Sequence, residues 1–194
     1  MNSMQVAEFI SSIFSPPITA AFTFLALLIS ERASNLLLLA IVSLTFGTAI
    51  PLAILYYLLR RGTIPDLYVS ARKSRPVAFA GALLSYLLGG IGLLLAQAPP
   101  VVTAAMFCYL GNSLTLMLIS YRWKISVHTS GIAGPAIALT YSLGVGAIAL
   151  LCLTIPVGWA RMRLGAHTLA QVATGALLTI AITWLQLKVY LVFL

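Results

Sequence analysis

Two short stretches, WKISVHTSGIAGP (residues 123–135) and ARMRLGAHTLAQ (160–171), hold the chain's only two histidines, His128 and His167. Each has basic company: Lys124 stands ahead of the first, Arg161 and Arg163 ahead of the second. Two imidazoles with several guanidinium groups and almost no carboxylate suit an anion. Arginine presents planar donors that match phosphate oxygens, and a helix starting just after His128 would aim free backbone N–H groups at the same ligand. With phosphate held, one histidine can attack phosphorus and form a phospho-histidine while the other protonates the departing alcohol oxygen. Both tasks fit a group that titrates near neutral pH. Water then releases the phosphate, and arginine stabilises the charge on the transferring group. The only acids are Glu8, Glu31 and Asp66. The paired acidic clusters that hold Mg²⁺ around a diphosphate are therefore missing, and the expected chemistry is metal-independent and without a cofactor.

The elements that position these groups must lie in lipid. Of 194 residues, 61% are hydrophobic and 7% charged, and apolar runs recur from residue 9 onward. A hydrocarbon core of about 30 Å takes roughly 20 helical residues to cross. The spans predicted are 10–30, 36–59, 77–96, 101–120 and 167–192, with a further stretch at 130–160. The fold expected is an all-α, polytopic transmembrane helix bundle of about six to seven helices, one domain over residues 1–194. The first thirty residues lack a basic start and carry Glu8 ahead of Pro16-Pro17, so they read as the first span rather than a cleaved signal. Cys108 and Cys152 fall inside apolar spans and read as small buried hydrophobes. The net charge of +8 is dispersed among short loops, which favours anionic head groups or a phosphorylated ligand over nucleic acid.

Nine of the eleven basic residues fall in three loops: Arg60, Arg61, Arg72, Lys73 and Arg75; Arg122 and Lys124; Arg161 and Arg163. The hairpin around Ala98-Pro99-Pro100 returns the chain to the side it left, so the first two loops are neighbours. The stretch from His128 to Arg161 is too long for one comfortable span. Read as two short helices broken near Ser142-Leu143-Gly144, with Gly144 and Gly146 supplying the turn, it brings His167 to the face that holds His128. Ionisable groups near lipid are costly unless they meet in a shared polar site. For Arg60, Arg61, Lys73 and Arg122 the positive-inside rule is sufficient explanation; the same rule argues for a cytoplasmic polar face but leaves the side open, since arginines that bind phosphate inflate the count.

In these residues the chain resembles the type-2 phosphatidic acid phosphatase superfamily of integral membrane lipid phosphatases. That family's pattern is K-x6-R-P, then P-S-G-H, then S-R-x5-H-x3-D. The third part is similar to Arg161-x5-His167-x3-Gln171, the second to Ser126-Val127-His128, and the first ends in Arg75-Pro76; the similarity runs over roughly residues 60 to 190. The resemblance implies His167 as nucleophile, His128 as the acid that protonates the leaving group, and Arg75, Arg161 and Ser126 as phosphate ligands. Seven residues before Arg75 stands Tyr68 in place of lysine, with Arg72 the nearest substitute and Lys124 a further cation. Gln171 replaces the terminal aspartate and could orient the imidazole through its amide oxygen.

The function expected is hydrolysis of a lipid phosphomonoester or diphosphate in the cell membrane, the substrate being phosphatidate, phosphatidylglycerophosphate or a polyprenyl mono- or diphosphate. The alternative is a non-catalytic protein that binds a phospholipid or transports an anion, which Gln171 favours. A prenyltransferase lacks its acidic motifs. Tyr121, Trp123 and Trp159 read as interfacial belt residues, and Gly81, Gly89, Gly90 and Gly111 as helix contacts.

Overall fold

The computed structural model describes residues 2–194. Among them the regular elements are all helical. Helix α1 (Ser3–Ile13) opens with a capping box between Asn2 and Gln5, which satisfies two of the orphan N–H groups of a helix start. Pro16 and Pro17 begin α2 (Pro16–Ser30), bent 47° from α1. The expected first span is thus two helices, because proline is tolerated in a first turn and not in a helix interior.

Helix α3 (Leu36–Leu44) continues through a π-turn at Thr45–Ala49 into α4 (Ile50–Arg60). A 3₁₀ turn at Arg72–Ser74 leads into α5 (Arg75–Leu95), and α6 (Pro100–Ser120) returns antiparallel to it. The remaining elements are α7 (Val127–Leu143), a 3₁₀ stretch at Val145–Leu153 running into α8 (Thr154–Arg163), and α9 (Leu169–Phe193). Five of these continuous helical segments are long and apolar enough to cross a membrane, and the bent α1–α2 pair raises the number to six. The chain is a multi-pass membrane protein built as a helical bundle.

The break between the histidines lies at Gly144, whose φ of +85° is a conformation open to glycine without a Cβ penalty. Gly146 lies within the 3₁₀ stretch and takes no part in the turn. At this far end Ser142 hydrogen-bonds to Ser30 and donates to Glu31, tying the end of α7 to the end of α2.

Helices α6 and α7 form the centre, with Phe24, Leu27 and Leu28 of α2 and Leu187 of α9 fully enclosed between elements. The glycines expected at helix contacts are at contacts: a Cβ on Gly81 would meet Ile54, on Gly89 Phe46, on Gly90 Phe107 and on Gly111 Gln186. Large apolar side chains such as Leu37, Leu95 and Val145 point outward, as a lipid-facing surface requires. Cys152 corrects one expectation. Cys108 is buried, but Cys152 is exposed on the 3₁₀ stretch, since an apolar run does not tell a lipid-facing position from a core one.

Candidate active site

The three basic loops meet at one end of the bundle. Arg75 begins α5 and is buried; its Nε donates to the Val69 carbonyl at 3.3 Å and its Nη1 to the Ile125 carbonyl at 2.6 Å. The first loop is thereby fastened to the second. The second is joined to the third by Ser126 N–H donating to the Gln171 carbonyl at 3.2 Å.

Helices α7 and α9 approach closely at their first turns, where Thr129 donates to the Val172 carbonyl at 3.0 Å and Ser130 to the Gly175 carbonyl at 2.9 Å. Gly175 permits this: a Cβ there would lie 2.6 Å from the Ser126 carbonyl oxygen and 2.8 Å from Thr129 Oγ1. The two histidines sit where these helices begin. His128 is the second residue of α7, which starts at Val127, just before this histidine and not just after it as the sequence suggests, and His167 directly precedes Thr168, the N-cap of α9.

His167 Nδ1 lies 3.1 Å from both the Lys124 carbonyl and Gln171 Oε1. Both partners are acceptors, so Nδ1 carries the hydrogen and Nε2 keeps its lone pair, the tautomer a nucleophile needs. Burial, and next the positive field of Arg75, push this imidazole down to about 4, with Arg161 and Lys124 adding and the Gln171 hydrogen bond opposing. The Lys124 ammonium is also lowered, by burial first and then by Arg75 and Arg161. Gln171 has a second task. It occupies the N3 position of a Thr168–Gln171 capping box, its Oε1 accepting from Thr168 N–H at 3.2 Å.

His128 is 4% exposed, and its Nε2 has no hydrogen-bond partner. Arg161, equally buried, donates from Nη1 to Ser11 Oγ at 2.7 Å, while its Nε is unpartnered. Both arginines are held by hydroxyl and carbonyl oxygens rather than by carboxylates. Buried donors left open in this way are costly unless a ligand meets them.

Ser126 and Arg72 have structural tasks. Ser126 is fully buried and caps α7, its Oγ accepting from Thr129 N–H at 3.5 Å. Arg72 turns to the C-terminus of α6 and donates to the Ser120 and Tyr121 carbonyls, which satisfies orphan carbonyls at a helix end. It is Tyr68 that reaches the cluster, its ring 5.1 Å from the Arg161 guanidinium and 5.5 Å from the His128 ring, and its hydroxyl 3.0 Å from Ser12 Oγ. Ser11, Ser12 and Tyr68 were not singled out as site residues by the sequence, because short hydroxyls and a loop aromatic carry no spacing signal. A signal for the Thr168–Gln171 box does exist, in T-x-x-Q ahead of an apolar run.

Arg60 and Arg61 are exposed and stack on Tyr56 and Tyr57, outside the cluster, and Lys73 and Arg122 are exposed too. Among the described residues no three His, Cys, Asp or Glu side chains converge to hold a metal ion. No family model, no curated protein and no solved structure matches the chain.

Proposed function

We propose that the protein is a metal-independent lipid phosphatase of the cell membrane, a divergent relative of the type-2 phosphatidic acid phosphatases. The observation that carries this reading is the geometry of His167: Nδ1 is held by two acceptors and Nε2 is free, beside buried arginines that lack acidic partners.

In the proposed cycle the phosphate of a membrane lipid is held by Arg75, Arg161 and Lys124, whose charges stabilise the equatorial oxygens of the transferring group. His167 Nε2 attacks phosphorus, and the P–O bond to the lipid alcohol breaks as His128 gives its proton to that oxygen. A water molecule then attacks the phospho-histidine as His128, left neutral by the first step, takes a proton from it; the P–N bond breaks, His167 Nε2 regains its lone pair and phosphate leaves. Gln171 keeps the hydrogen on Nδ1 but supplies no full charge to an imidazolium.

The test is phosphate release from lipid mono- and diphosphates by protein purified in detergent with excess EDTA. Wild type should turn over and form an acid-labile phospho-enzyme. His167→Ala should form none and lose at least about a thousandfold in rate, roughly 4 kcal/mol of transition-state stabilisation. Wild type as inert as the variant, with both still binding the lipids, would replace this reading with that of a phospholipid-binding protein, which Gln171 in place of an acid favours.

A further inference from the structure

Helix α1 brings one polar side chain to the cluster from outside the three basic loops. Its buried residues are Ala7 and Ser11, one turn apart and so on one face, and α1 packs chiefly against α8. Ser11 is fully enclosed; its Oγ accepts from Arg161 Nη1 at 2.7 Å, and its backbone stands beside the His128 imidazole.

A hydroxyl both accepts and donates. Ser11 accepts from Arg161, and among the described residues its own hydrogen meets no acceptor. Arg161 Nε and His128 Nε2 are buried and unpartnered too. Polar groups from α1, α7 and α8 are thus left open together, and no carboxylate closes them: Asp66, the one acid in the basic loops, turns to Tyr68 N–H and to Ser70. A carboxylate at position 11 would neutralise Arg161 permanently and repel an anion. A hydroxyl holds one of the five guanidinium donors and keeps a hydrogen for an incoming oxygen.

The position of α1 does not depend on that contact alone. Ser12 Oγ donates to the Glu8 carbonyl at 2.9 Å, so in its 3.0 Å bond with Tyr68 the tyrosine hydroxyl donates. This bond fastens α1 to the loop whose Tyr68 ring lies beside Arg161 and His128. A cavity of about 340 Å³ reaches the edge of the cluster at Ser12, Tyr68, Arg75 and His128, which gives a ligand access to it.

We infer that Ser11 is a further ligand of the phosphate, its O–H donating to a phosphate oxygen while its lone pair keeps Arg161 in place. The inference rests on the anion site of the phosphatase reading and concerns binding, so binding and turnover are read separately.

The probe is inorganic phosphate, its affinity measured by ³¹P NMR titration of the protein in detergent, with hydrolysis of lipid phosphates followed on the same preparations. Ser11→Ala should weaken phosphate at least tenfold, the loss of one hydrogen bond to a charged oxygen. Ser11→Cys, similar in size but a weak donor, should fall between the two and covers the case in which Ser11→Ala does not fold. A residue that only steadied Arg161 would give the same first result, and a double-mutant cycle separates the roles. In an Arg161→Met background Ser11→Ala should still weaken phosphate at least fivefold; a loss that disappears there overturns the inference, because Ser11 then acts only through the arginine. Ser3→Ala cuts the other α1–α8 link, at Arg163, and should leave the affinity within twofold. A loss as large as that of Ser11→Ala would assign the effect to the docking of α1 and overturn the inference as well, as would a wild type that binds no phosphate. Turnover with a phosphate affinity that Ser11→Ala leaves unchanged overturns the inference and spares the phosphatase reading. Phosphate binding that depends on Ser11, without turnover of any lipid phosphate, upholds the ligand and overturns the phosphatase reading alone.

Discussion

Gly175→Ala is the substitution that most directly tests how the site is held together. The added Cβ would lie 2.6 Å from the Ser126 carbonyl oxygen and 2.8 Å from Thr129 Oγ1. Ordinary van der Waals contact begins near 3.4 Å, and a backbone carbonyl that caps into α7 cannot rotate away. Helix α9 must therefore back off α7 by up to about 0.8 Å, the difference between those separations. The Ser126–Gln171 and Thr129–Val172 hydrogen bonds cross this contact, so His167 moves relative to His128 by a similar amount. Displacements near 1 Å cost about a hundredfold where reacting groups must align, so kcat should fall by roughly ten- to a hundredfold. Overpacking of this size also costs about 1–3 kcal/mol of stability, visible as a lower Tm with the helical circular dichroism unchanged. Gly146→Ala is the control: nothing lies within 4 Å of its Cβ and its φ is not positive, so it should be silent. Gly175→Ala with kcat within twofold of wild type would show that the α7–α9 approach does not set the catalytic geometry.

Two further outcomes follow from His167 and its neighbour. Gln171→Leu should lower both Tm and kcat, because one amide oxygen serves the α9 cap and the imidazole, and loss of such a cap costs about 1 kcal/mol; an unchanged Tm would show that the capping box is idle. His167 has a folded value of about 4 against an ordinary ~6.5, so the neutral, attacking form persists down to about pH 4. In the window from 6.5 down to 4 the unfolded chain takes up the proton first, so the stability tied to neutral His167 is lost as pH falls. Lys124→Met removes a positive charge and should raise the value, read from the His167 Cε1–H resonance; a downward shift would contradict the electrostatic account.

The spans, the break at Gly144 and the convergence of three basic loops could all be read from the chain, because lipid forces long apolar runs and expensive charges into a shared polar place. Arg75, Lys124, His128, Arg161 and His167 came from that logic. What could not be read depends on contacts between distant elements. Tyr68 looked like an absent lysine, and only the fold shows its ring beside both Arg161 and His128. Arg72 looked like the substitute cation, yet the nearest need for its charge is the end of α6. The cavity has walls from α1, α2, α4, α5, α6, α7 and α9, and no local pattern announces a void shared by so many helices. Cys152 shows the other limit, that core and bilayer ask for the same apolar side chains.

Helix α1 packs chiefly against α8, through Ser11 with Arg161 and Ser3 with Arg163, and the first of these pairs is separated by 150 residues. During synthesis that separation becomes a delay. At about 5–20 residues per second, Ser11 waits roughly 8–30 s after its own translation before Arg161 exists. For that time α1 is without its docking helix, and the arginine arrives after the walls from α2 to α7, with His167 and α9 still to follow. The proposed anion site cannot form in a nascent chain that stops before α8. A ribosome-stalled chain ending near residue 150 should leave Ser11 open to solvent labelling, and the finished chain, in which Ser11 is buried, should close it.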